Sequence, residues 1–339
     1  MFVIQLRKLG RVGGLMNRRD TLTSLLAIGA SHALPVMGQS SNFRIAWISQ
    51  TTAADGTLFL DALRYGLRAF GYVEGNNFRI DAYWGDDSPT RIEQLGNELV
   101  SLRPQVIVAQ GSAALVLRRL TTTIPVVFGF SGDPMEAGLV VSLRHPGRNL
   151  TGISFLTLEL VGKRLQLLKE VLPTAKRIAV VANPQHPGDQ LERRATQVAA
   201  SVLGLSLEYF EARNSVQLLE ALAAIEKSGI DAVMFFPVQQ VISNRERIAA
   251  WSIRHRLPTI SGWAQFAEGG NLLTYGPNLV DIYQRLSIYV DRILKGARPT
   301  DLPVELPTRF ELVVNLKTAK SLGIKLPQSV LLRSDRLIE

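Results

Sequence analysis

Ser112 and Ser131 are the residues whose type and position suit chemistry best in this chain. Each stands just past an all-apolar run, Val106 to Ala109 and Val126 to Phe130, in the small-residue loops Gln110-Gly111-Ser112 and Ser131-Gly132-Asp133-Pro134. Both loops open segments whose apolar periodicity reads as helix. Continuous β-rich runs are strands covered on both faces, hence parallel sheet flanked by helices. Ligands of such sheets lie beyond the carboxyl ends of the strands, where helix N-termini aim unpaired backbone N–H groups outward. The simpler role for Ser112 and Asp133 is to cap the helices that follow.

Catalysis finds little support. The chain has no cysteine, which excludes disulfides, thiolate metal sites and a cysteine nucleophile. Its four histidines, His32, His145, His186 and His255, stand apart, without a second ligand at metal spacing. No phosphate-binding Walker loop, dinucleotide glycine fingerprint, Gly-x-Ser-x-Gly elbow or zinc-protease helix occurs. Asp86-Asp87 precedes Ser88-Pro89 and reads as a solvated turn leading into a helix. Asp133 precedes Pro134, which suits the first turn of a helix. No acid, base or nucleophile has a partner, so the chain reads as a binder that needs no metal or cofactor.

The elements that must position these loops repeat as strand, loop, helix. Strands are expected at Ile45 to Ile48 and Phe78 to Trp84. A helix whose apolar residues Ile92, Leu95, Leu99 and Leu102 are spaced 3, 4, 3 stops before Pro104. The two central units follow, and Leu150 to Phe155 reads as a crossing between domains. A helix from Leu158 to Leu172 and a strand from Arg177 to Ala182, closing on Asn183-Pro184, restart the pattern. Strands at Leu205 to Phe210, Ile230 to Phe236 and Pro258 to Ser261 come next, with a helix from Ser215 to Lys227 between the first two. Leu272 to Gly276 reads as a second crossing, before a helical face at Leu279, Ile282, Leu286, Tyr289 and Ile293. At 339 residues the chain exceeds one ordinary core. The fold class expected is α/β, with two doubly wound parallel-sheet lobes joined by more than one strand.

Residues 1–38 read as a signal peptide. Arg7, Lys8, Arg11, Arg18 and Arg19 face a single acid, Asp20, before a short apolar stretch from Leu22 to Leu34 and a small-residue site near Gly38. Asn17-Arg18-Arg19-Asp20-Thr21-Leu22 is similar to a twin-arginine export signal, with Thr21 where a Phe is usual; a Sec signal is the alternative. Met16 offers a second possible start. Of the 38 bases and 29 acids, this segment holds five and one, leaving 33 against 28. So mild an excess, without basic runs, gives no nucleic-acid surface.

From about residue 43 to 335 the chain resembles the substrate-binding proteins of ABC transporters, in the group that includes tryptophan and phenylalanine binders. The resemblance rests on Gly129-Phe130-Ser131-Gly132-Asp133-Pro134, on Pro146-Gly147-Arg148-Asn149-Leu150-Thr151-Gly152 and on Gly269-Gly270-Asn271-Leu272-Leu273-Thr274-Tyr275-Gly276. It rests most of all on the block from Pro307-Thr308-Arg309-Phe310 to Ser321-Leu322-Gly323. It implies a type I periplasmic-binding fold, a periplasmic monomer and a membrane permease as partner. The first lobe would comprise 43–150 with 272–305, and the second 151–271 with 306–339.

Strand ends and loops on the two sides of one cleft then supply the expected ligand contacts. They are Gln50, Ser112, Ser131 and Asp133 from the first lobe, Asn183, Gln239 and Ser261 from the second, and Tyr275 at the crossing. Trp47, Phe130, Trp263 and Tyr275 lie near strand ends and suit stacking, although core packing is the better reading of Trp47 and Phe130. Family members often carry an acid just after the proline at 237, able to hold an amine. Here Val238, Gln239 and Gln240 are neutral, which favours a carboxylate or amide over an α-amino acid. A sensory binding protein, and an enzyme on the same scaffold, are the other readings of such a chain.

Overall fold

The computed structural model describes residues 42–156 and 158–339. The export segment expected at 1–38 lies outside the described residues. From Phe43 the chain alternates β1 (Phe43–Ser49), α1 (Ala53–Arg68), β2 (Phe78–Trp84), α2 (Pro89–Ser101), β3 (Val106–Gln110), α3 (Ala113–Leu120), β4 (Val126–Phe130) and β5 (Leu150–Ser154). These five strands form one all-parallel sheet in the order β2-β1-β3-β4-β5. Their apolar runs are buried because helices cover both faces, as continuous rather than alternating patterns require.

The chain then builds α4 (Glu159–Val171), β6 (Arg177–Ala182), α5 (Asp189–Leu203), β7 (Ser206–Glu211), α6 (Ser215–Ile225) and β8 (Ala232–Phe235). After these come α7 (Gln239–Ser243), α8 (Arg245–His255), β9 (Thr259–Ser261), α9 (Ala264–Glu268) and β10 (Leu273–Pro277). Next, α10 (Leu279–Leu294) returns to pack on α1 and on β3, β4 and β5. Last come β11 (Phe310–Asn315), α11 (Leu316–Leu322), α12 (Gln328–Arg333) and β12 (Arg336–Ile338). The second sheet has the order β12-β11-β10-β9-β8-β6-β7. It is parallel from β7 to β10, and β11 pairs antiparallel with β10. Two α/β lobes joined by several segments are thus what the alternation led us to expect.

Both crossings fall later than the sequence suggests. Leu150–Ser154 is a fully buried strand, hydrogen-bonded beside β4, so the chain leaves the first sheet only after it. Leu273–Pro277 is likewise a strand of the second sheet, and the return begins at Asn278. A short apolar run looks alike as an edge strand or as a crossing, because its periodicity does not depend on its partner. A third link runs through Glu305, whose N–H donates to the Gly152 carbonyl (3.1 Å) while its own carbonyl accepts from Ser154 N–H (3.0 Å).

Another expectation fails after β4. No helix follows Ser131-Gly132-Asp133-Pro134; residues 134–139 form turns, and Gly138 adopts φ +66°. The Asp133 carboxylate accepts from the N–H groups of Met135 (2.7 Å) and Glu136 (3.0 Å), a cap on a turn that goes no further.

One apolar cluster covers the inner faces of both sheets and includes Trp47, Phe59 and Tyr283 as well as Phe235, Phe266 and Trp263. Where α10 crosses β4, a Cβ at Gly129 would lie 2.9 Å from the Tyr283 ring, so only glycine lets the ring sit there. Tyr283 packs against Trp47 (5.6 Å between centroids) and Phe59 (4.8 Å). The outer faces carry separate clusters around Phe128 and around Leu168 and Val180.

Candidate functional site

The carboxyl ends of β1, β3 and β4 form one wall of a cleft, and the loops after β6, β8 and β9 form the other. In the first lobe the wall is a hydrogen-bonded floor. Ser49 Oγ donates to Gln110 Oε1 (2.7 Å) and accepts from Thr51 N–H (3.0 Å). Gln110 also bonds the Tyr283 hydroxyl, and burial holds that phenol far above its ordinary range, only partly offset by this bond. Ser112 begins α3, yet its hydroxyl caps nothing and donates instead to Gln50 Oε1. Its side chain thus belongs to the cleft, not to the helix end.

The second lobe supplies a roof. His186-Pro187 follows β6, Gln239 opens α7, and Trp263 with Gln265 follows β9. Phe155, at the first crossing, packs edge-on against Trp263 (5.9 Å). Floor and roof meet where Ser131 Oγ lies 2.9 Å from His186 Nε2. His186 is pushed down to about 4 by burial, so the ring is neutral at ordinary pH. Its Nδ1 is buried without a partner, so no carboxylate orients the ring as in a hydrolytic triad.

Together these residues line an inner chamber that opens to solvent at its mouth. Phe59, Phe130, Phe155, Trp263 and Tyr283 give it aromatic walls, and the carboxamides of Gln50, Gln110, Gln239 and Gln265 give it polar edges. Gln50, Ser112, His186 and Gln239 are shared with an outer vestibule that adds Asp87, Asn183, Arg213 and Gln240. At the rim the lobes touch twice. Ser243 Oγ donates to Asp87 Oδ2 (2.7 Å), and Arg245 Nη1 donates to Asp55 Oδ1 (2.8 Å). Burial raises the Asp87 carboxyl above its usual range, against the pull of the Ser243 hydroxyl. Among the described residues no group of three metal-ligating side chains occurs, and no helix is long and apolar enough to cross a membrane.

The structure gathers Gln50, Ser112, Ser131 and Gln239 into the inner chamber and Asn183 into the vestibule. Three expected contacts lie elsewhere. Asp133 caps its own turn. Ser261 is fully buried and donates to the Phe235 carbonyl (3.0 Å), turned into its sheet by the pleat of β9. Tyr275 packs on the outer face of the second sheet, and its carbonyl accepts from Arg164 Nε (2.8 Å). Trp47 is wholly core, whereas Phe130 is buried and also lines the chamber. Sequence reading missed Gln110, His186, Gln265 and Tyr283. The first three flank loops already singled out; Tyr283 carries no local signal, since α10 reaches the cleft only by returning to the first lobe.

Two such lobes flanking one cleft define the type I periplasmic-binding class of fold. The family model described as ABC transporter substrate binding protein matches residues 52–338, and the chain belongs to that family. A tyrosine-binding protein from Clostridioides difficile is 24% identical over 258 residues, covering 75% of this chain and 73% of that one. A conserved domain protein from Vibrio cholerae superposes with a TM-score of 0.82 at 29% identity, covering 87% of this chain and 99% of that one. A Streptococcus pneumoniae ABC domain in complex with L-Trp gives 0.81 at 24% identity, covering 88% and 100%. A ligand-free, open substrate-binding protein from Clostridium difficile gives 0.67 at 22% identity, covering 87% and 99%.

Proposed function

We propose that this protein is the extracytoplasmic solute receptor of an ABC transporter, capturing a small amino-acid-like solute with a planar part in the interlobe cleft. The observation that carries this reading is a chamber with five aromatic rings and several neutral hydrogen-bonding side chains, drawn from both lobes. The names of the tyrosine-binding relative and of the L-Trp complex support an aromatic solute. Gln50, Ser112, Ser131 and Gln239 hold its polar edge, Phe130 and Trp263 its ring, and Asn183 stands at the entrance. Residues 43–154 with 278–305 move as one lobe and 155–277 with 306–339 as the other, about the three crossing segments. Residues 1–38 direct export through the twin-arginine route, and the mature monomer delivers its solute to a membrane permease.

A ligand that touches floor and roof favours closure only through contacts it lacks in the open form. Small-angle scattering of the mature protein, titrated with aromatic solutes, tests this. The wild type contracts on binding. Ser131→Ala loses about 1 kcal/mol of affinity with the fold intact. Gln239→Ala also binds more weakly and contracts less at equal, subsaturating ligand. Unchanged affinity in both variants would show that the ligand sits elsewhere.

A further inference from the structure

We propose that the chamber selects aromatic solutes whose side chain ends in a carboxylate or amide and carries no ammonium group; this rests on the chamber being the ligand site. Among the described residues, every side chain lining it is uncharged. Its one imidazole, His186, is desolvated and neutral at ordinary pH. An ammonium taken into such a site loses its water and meets no opposite charge, which is costly.

The acids nearest the cleft are committed elsewhere. Asp55 pairs with Arg245 at the rim, and Asp133 accepts two backbone N–H groups of its own turn. Asp87 reaches only the outer vestibule, where Ser243 of the opposite lobe already donates to it. After Pro237 the chain offers Val238 and Gln239, and the Gln239 that lines the chamber is neutral.

What the lining does offer is an amide's complement. Gln50 uses its oxygen to accept from Ser112, leaving its amino group. Gln239 uses its amino group to donate to Ser243 (3.2 Å), leaving its oxygen. One lobe thus brings an amide donor to the lining and the other an amide acceptor. A carboxamide meets both, and a carboxylate meets the amino group of Gln50.

Calorimetric titration of ligand-stripped mature protein with matched probes tests the idea: L-tryptophan, indole-3-propionate and indole-3-propionamide, and the corresponding phenylalanine series. We expect the better of the two amine-free members to bind at least about tenfold more tightly than its amino acid. Which of the two wins separates acid from amide. Gln239→Glu supplies the missing carboxylate and should shift the preference toward the amino acid by about tenfold. Equal or tighter binding of the amino acids by the wild type overturns the inference while leaving the chamber as the ligand site. Binding of the probes with affinities unmoved by Trp263→Ala overturns the chamber itself, and the inference with it. Binding by none of the six overturns the inference, whereas the scattering titration with other aromatic solutes still judges the site.

Discussion

The two lobes bury polarity in different ways behind the same cleft. In the first, the groups under the floor are neutral, with Ser49, Thr51, Gln110 and Tyr283 closing one hydrogen-bonded set and only the indole N–H of Trp47, among the described floor residues, left without a partner. In the second, charge lies directly behind the roof loops. Arg164 and Glu192 are each only 3% exposed, their nearest atoms are 3.9 Å apart, and Arg164 Nη1 and Asp189 Oδ1 find no hydrogen-bond partner. Arg164 also lies beside Gly262, between β9 and Trp263, where a Cβ would come within 2.6 Å of its guanidinium. Burial lowers the Arg164 pKa and pushes Glu192 up to about 7, in both cases overriding their mutual attraction. A neutral, hydrogen-bonded network holds a wall in one arrangement. A desolvated and incompletely paired one leaves the opposite wall more easily perturbed.

The largest test of that contrast is Arg164→Met, which leaves Glu192 buried without its partner. Measured at about pH 8, where Glu192 is ionised in the wild type, it should cost about 3 kcal/mol in chemical denaturation. A loss below about 1 kcal/mol would mean that the pair is not integral to the second lobe.

Acidity probes the same pair without removing it. Glu192 holds its proton in the folded state up to about pH 7, whereas the unfolded chain releases it near its ordinary value of 4.5. Its contribution is therefore complete below that ordinary value and is lost as pH rises to about 7. His186 acts in the opposite sense. Its proton, taken up below 6.5 by the unfolded chain, is refused until about pH 4 by the folded one. The melting temperature of the wild type minus that of Glu192→Gln should thus be larger at about pH 5 than at about pH 8. A difference independent of pH would place the titration elsewhere.

Ligand binding should divide along the same line. Trp263→Ala removes a roof ring and should weaken binding of an aromatic solute by about 2 kcal/mol, read by calorimetry. Phe130→Ala should weaken binding and also lower stability, because that ring packs on Phe128 in the first lobe's core. The smallest effect belongs to Asp55→Asn, which cuts the partly exposed rim pair with Arg245. It should reduce affinity by no more than about 1 kcal/mol, with less contraction in scattering, and the difference should shrink in high salt.

Most strands were legible because each is a local run whose side chains want the same two covered faces. Arg177–Ala182 and Phe78–Trp84 fall where expected, and Leu279–Leu294 shows its 3, 4, 3, 4 face. The short helices Gln239–Ser243 and Ala264–Glu268 were not read, since five residues hold too little periodicity to register. The helix expected after Pro134 fails because Gly138 turns the chain left-handed within a few residues. In the cleft, loop position alone brought Gln50, Ser112, Ser131 and Gln239 forward. It did not say which way a side chain at a strand end would point, and so Ser261 and Tyr275 were carried along with them.

What the sequence determined by itself is the alternation of strand and helix, the covered faces and the loops at which a solute can be met. These follow from φ/ψ preference and periodicity, which act over a few residues. Only the tertiary structure decided that Ser131 meets His186, that Gln110 meets Tyr283 from a returning helix, and that Asp55 meets Arg245 across the rim. The partners in these pairs stand 55, 173 and 190 positions apart. At such separations no local propensity links them, and they meet only because two sheets, each buried on both faces, leave their strand ends facing one another across a single cleft.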